Sequence, residues 1–63
     1  MCESNVFLIK DGKESKYLED VEQITSENGY LFITNIDGKK RKIKAEIISI
    51  NFEQHKLIIQ ERK

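Results

Sequence analysis

The stretch Asn28-Gly29-Tyr30-Leu31-Phe32-Ile33-Thr34-Asn35-Ile36-Asp37-Gly38 decides the fold. Its centre, YLFITNI at 30–36, is dense in β-branched and aromatic residues, which suit a pleated, half-buried surface. Asn-Gly before it and Asp-Gly after it are dipeptides that accept the positive φ angles of tight turns. The segment is therefore a strand with a turn at each end.

The same grammar extends outward in both directions. NVFLIK at 5–10 is an apolar run that stops at Asp11-Gly12, a second two-residue hairpin signal. KYLEDVEQITS at 16–26 is mixed, because Leu18, Val21 and Ile24 recur at a spacing that also suits a helix. Its short length, flanking turns and Val-Ile-Thr content favour a strand with a bulge or kink near Glu19-Asp20. KKRKIKA at 39–45 leads into EIISINF at 46–52. Glu53-Gln54-His55 then closes a last hairpin before KLIIQE at 56–61.

All three glycines follow Asp or Asn and there is no proline, so the chain is punctuated only at tight turns. This pattern predicts an all-β fold, a small barrel of five or six antiparallel strands forming a single domain over 1–63. Inward positions are expected at Val6, Leu8, Leu18, Val21, Ile24, Leu31, Ile33, Ile43, Ile48, Ile50, Leu57 and Ile59. A one-residue register slip would exchange some of these for Phe7, Phe32, Ile47 or Ile58. The continuous runs EIISI and KLII suggest strands covered on both faces, and in so short a chain a second copy is a natural cover.

A chain of 63 residues buries a modest fraction of its surface, so dimerisation would help it. Eleven basic and eleven acidic residues cancel, which removes any global attraction to nucleic acid or membrane. No apolar run approaches the roughly 18 residues of a membrane span, and no leader pattern is present, so a cytoplasmic protein is expected.

The single cysteine, Cys2, excludes an intrachain disulfide and any one-chain zinc cage built on several cysteines. A metal site using it must borrow backbone groups or a second subunit, which two-fold symmetry supplies. With Met1 removed, Cys2 would offer an amine and a thiolate that close a chelate ring. With Met1 retained, a deprotonated amide nitrogen of Cys2 or Glu3 would have to serve. Two such ends give two nitrogens and two sulfurs, a set suited to Ni(II) or Cu(II), and thiolates also suit other thiophilic metals such as Zn(II) and Cu(I). Because these donors must lose protons, affinity would rise with pH through about 7–8.5. The alternative is an ordinary free thiol near a chain end.

The remaining candidates are weaker. His55, the only histidine, sits in a turn and is expected to be solvated, or to serve as a distant second ligand from another subunit. The basic run at 39–44 offers Lys40, Arg41, Lys42 and Lys44 as phosphate contacts, with Tyr30 or Phe32 for stacking. The zero net charge weighs against nucleic acid, and lysines also protect sheet edges. Glu19, Asp20 and Glu22 lack a histidine partner or a glycine-rich loop and are read as a solvated face. No nucleophile–base pair, phosphate loop or cofactor motif is visible, so no enzyme is predicted.

Met1-Cys2, Asn5-Val6, Asp11-Gly12-Lys13-Glu14, Leu18-Glu19-Asp20-Val21, the Gly29 turn, Asp37-Gly38, Ile50-Asn51-Phe52 and His55-Lys56-Leu57 together resemble the CooT-type small proteins. The resemblance covers nearly the whole chain, and departs at the more basic 39–44 stretch and at Asn51. It implies an SH3-like β fold, a homodimer, and Ni(II) binding through the cysteine beside the initiator methionine, here Cys2. It also implies a role as metallochaperone or metal store, with a client metalloenzyme such as a carbon monoxide dehydrogenase. The rival expectation is a small RNA-binding module using the basic strand.

Overall fold

Asp11 and Gly12 have φ of 53° and 77°, and Asn28 and Gly29 have φ of 52° and 81°, in a computed structural model that describes residues 3–62. Both central residues of each turn are thus left-handed, the conformation that matches the twist of the strands it joins. The elements are β1 (Ser4–Lys10), β2 (Lys13–Glu27), β3 (Tyr30–Asn35), β4 (Lys40–Asn51) and β5 (Lys56–Glu61). They close into the expected small barrel in the order β1-β2-β3-β4-β5. Consecutive strands pair antiparallel, whereas the closing pair, β1 with β5, runs parallel from Asn5↔Lys56 to Ile9↔Gln60.

Two long strands make closure possible by serving two neighbours each. β2 pairs with β1 through its first half and with β3 through its second. Between the halves lies the expected kink: Asp20 has φ of 52°, and the register slips between Val6↔Leu18 and Ser4↔Val21. Asp20 N donates to Asn5 Oδ1 at 3.2 Å, and Asp20 O accepts from Ile36 N at 2.9 Å, so β1 and the β3–β4 turn both hold the bend. β4 likewise pairs with β3 up to Lys44 and with β5 from Ala45 onward.

The core consists of Val6, Leu18, Val21, Leu31, Ile33, Ala45, Leu57 and Ile59, with Leu8, Tyr17, Ile24 and Ile43 packed against it. Each fully buried Leu, Ile or Val contributes about 1.5–3 kcal/mol relative to exposure. Most of the expected inward residues are here, and Ala45 joins them. Ile48 and Ile50 do not: they are exposed, as are Ile47 and Phe52. The reason is local. The register slips between Ile47↔Ile59 and Ser49↔Ile58, a bulge at Ile48. Ile50 then stands opposite the buried Leu57, but β3 has left β4 at Lys44, and among the described residues only β5 pairs with β4 there.

The β3–β4 turn is organised by one buried polar side chain. Asn35 Oδ1 accepts from Asp37 N at 3.0 Å and from Lys39 N at 2.9 Å. Gly38 N closes the turn on Asn35 O at 3.1 Å, with Gly38 itself at φ of 86°.

Candidate functional site

Cys2, the predicted metal ligand, lies outside the described residues, and its site is approached through its neighbours. Only Glu3 separates it from Ser4, the first residue of β1. Asn5 N donates to His55 O at 2.9 Å, and the register row Asn51↔Lys56 and Asn5↔Lys56 brings the end of β4 and the start of β5 alongside. The turn before β5 is fixed by Asn51 Oδ1, which accepts from Gln54 N at 2.9 Å, and by a left-handed His55.

His55 lies beside β1 through its backbone. Its backbone touches the strand that follows Cys2, and it is half-buried. Sequence reasoning set it aside because a contact between residues 5 and 55 has no local signature; only parallel closure of β1 on β5 creates it. Among the described residues no group of three or more His, Cys, Asp or Glu side chains could hold a metal.

The second half of β4 and the turn after it also expose apolar side chains. Ile47, Ile48, Ile50 and Phe52 are all exposed on β4 and the turn after it, with Phe52 83% exposed. A shallow cleft of about 210 Å³, lined by Ser4, Val21, Ile24 and Leu57 among others, opens beside the start of β1. Exposed apolar residues grouped in this way mark interaction surfaces.

The basic run is divided by the pleat. Lys40, Lys42 and Lys44 stand opposite Thr34, Phe32 and Tyr30, while Arg41 stands opposite the buried Ile33. Arg41 instead lines a polar cleft of about 350 Å³ with Lys16, Glu19, Asp20, Asn35 and Asp37, and donates to Lys40 O at 3.0 Å. This alternation puts Arg41 on the opposite face of β4 from Lys40, Lys42 and Lys44. The acidic residues also separate. Glu19, paired with Lys16 at 3.8 Å, and Asp20 both line the larger cleft, whereas Glu22 borders the smaller one.

No helix of the described residues is long and apolar enough to cross a membrane. No curated protein matches the chain. The crystal structure of a CooT candidate from Carboxydothermus hydrogenoformans superposes with a TM-score of 0.89 at 27% identity, covering 98% of this chain and 100% of that one. A family model described as CO dehydrogenase accessory protein CooT matches residues 1–60, from the Met-Cys start almost to the end of β5. With the barrel and that match together, the chain belongs to the CooT family of CO dehydrogenase accessory proteins.

Proposed function

We propose that this protein binds Ni(II) as a homodimer through Cys2 and delivers or stores it for a client such as a carbon monoxide dehydrogenase. The observation that carries the proposal is a coincidence of place. The strand that follows Cys2 begins beside the uncovered apolar surface of β4 and the His55 turn. Two residues of chain span at most about 7 Å, which bounds how far Cys2 can be from Ser4. A two-fold interface that covers Ile50 and Phe52 then draws two Cys2 thiolates toward one axis. Two thiolates with nearby backbone nitrogens make a four-donor set of the kind Ni(II) accepts in square-planar form. A site on a short lead into the barrel can exchange its metal without unfolding the core.

Nickel titration of the purified protein, followed by thiolate-to-nickel absorption and calorimetry, tests this. One Ni(II) per dimer is expected, with the absorption band and the binding both lost in Cys2→Ser. Undiminished nickel binding in Cys2→Ser would overturn the assignment. In sedimentation, protein that stays monomeric with and without Ni(II) would remove the shared site.

A further inference from the structure

The outer face of β2, β3 and β4 carries a second set of groups for which the nickel site has no use. Leu31, Ile33 and Asn35 are buried, so the alternate residues Tyr30, Phe32 and Thr34 point away from the core. Directly opposite them on β4 stand Lys44, Lys42 and Lys40. Lys42 Nζ lies 4.8 Å from the centroid of the Tyr30 ring and 5.7 Å from that of Phe32. On the other flank of β3, the residues opposite are Glu27, Thr25 and Gln23.

Two aromatic rings thus sit between a row of ammonium groups and a largely neutral polar row. The ion pairs of the described residues engage Lys10, Lys16 and Lys56, and none of the three facing lysines. A net charge of zero for the chain means that this positive strip is a local feature. Protection of an exposed sheet edge accounts for lysines on β4, since this half of the strand pairs with β3 on one side. It does not account for the half-buried Tyr30 ring and the exposed Phe32 ring directly opposite them, which edge protection would leave out.

We propose that this face binds single-stranded nucleic acid, with successive bases on Tyr30 and Phe32 and phosphates on Lys40, Lys42 and Lys44. Rings two positions apart on a strand are about 6.8 Å apart along it, and any base can stack on them. Lys42, which caps both rings through an exposed and exchangeable contact, moves to the phosphate as the bases arrive. Glu27 beside Tyr30 and Glu46 beyond Lys44 end the positive strip, so the footprint is about two or three bases. Arg41 takes no part, because it faces the polar cleft.

Fluorescence anisotropy of the full chain with labelled oligouridylate and oligothymidylate of about 12 nucleotides tests this. Three phosphate contacts give a slope of about −2 for log K against log salt between roughly 50 and 200 mM. Tyr30→Ala and Phe32→Ala should each weaken binding about 5- to 150-fold. Tyr30→Phe and Phe32→Tyr should retain it, which separates stacking from loss of fold. Lys42→Gln should reduce the slope by about 0.7, while Arg41→Gln and Cys2→Ser leave binding unchanged. Tighter binding of the uridylate assigns RNA, and equal binding assigns any single strand. The proposal is overturned by any of three results: no binding at about 50 mM salt, equal binding of a duplex, or alanine variants that bind as well as wild type.

Discussion

β3 and the second half of β4 are written in nearly the same alphabet, yet the barrel uses them oppositely. YLFITN in β3 buries Leu31 and Ile33 to 1% exposure, while EIISIN in β4 leaves Ile48 and Ile50 about half exposed, at 47% and 50%. β3 has a strand on each side and alternates strictly, so every second residue meets the core. The β4 segment has a bulge in its middle and, among the described residues, pairs with β5 alone. Apolar content marks both as strands, but only neighbours decide which apolar side chains leave water.

That contrast can be broken at β3 with the largest effect. Leu31→Ala or Ile33→Ala should cost about 2–5 kcal/mol through lost burial and a residual cavity. A single core of this size rarely supplies more than about 3–5 kcal/mol, so thermal melting by circular dichroism should find either variant largely unfolded. A melt close to wild type would mean that β3 is not the centre of the barrel.

Next is the polar support at the end of β3. Asn35→Ala leaves the amides of Asp37 and Lys39 without their acceptor and should cost about 1–3 kcal/mol, while Asn35→Asp keeps an acceptor and most of the stability. Chemical denaturation of the pair measures the difference. Gly29→Ala, at φ of 81°, should cost about 1–2 kcal/mol from backbone strain, although the space around its Cα is open. A neutral result there would mean that the turn can change type.

The smallest effect on folding is expected where the β4 segment is exposed. Ile50→Ser with Phe52→Ser should change the stability of dilute protein by no more than about 0.5 kcal/mol. The same pair should shift the protein toward monomer in sedimentation and weaken nickel binding, if this surface is the dimer contact. A dimer that survives both substitutions would place the interface elsewhere and leave the exposed isoleucines to another partner.

Much of the fold is legible in the chain because its signals are local. Asp11-Gly12 and Asn28-Gly29 declare turns through their own φ preferences, and the Glu19-Asp20 kink follows from the broken alternation between Leu18 and Val21. The candidate site was legible only in part. Cys2 stands out by its rarity and its neighbour Met1, and the family match extends over it. The contact of the His55 turn with β1 was not legible, nor was the separation of Arg41 from the lysines around it. The first needs parallel closure between β1 and β5, and the second needs the facing of β4 relative to β3.

What the amino-acid sequence determined by itself is therefore the strand-and-turn plan, the single-cysteine limit on metal chemistry and the family. These rest on residue types and on spacings within one or two turns. The tertiary structure alone decided that Ile48 and Ile50 stay in water, that the His55 turn backs onto the start of β1, and that Tyr30 and Phe32 face three lysines. Burial, strand neighbours and the two faces of a sheet are properties of the closed ring. No short window of sequence contains the partner that settles them.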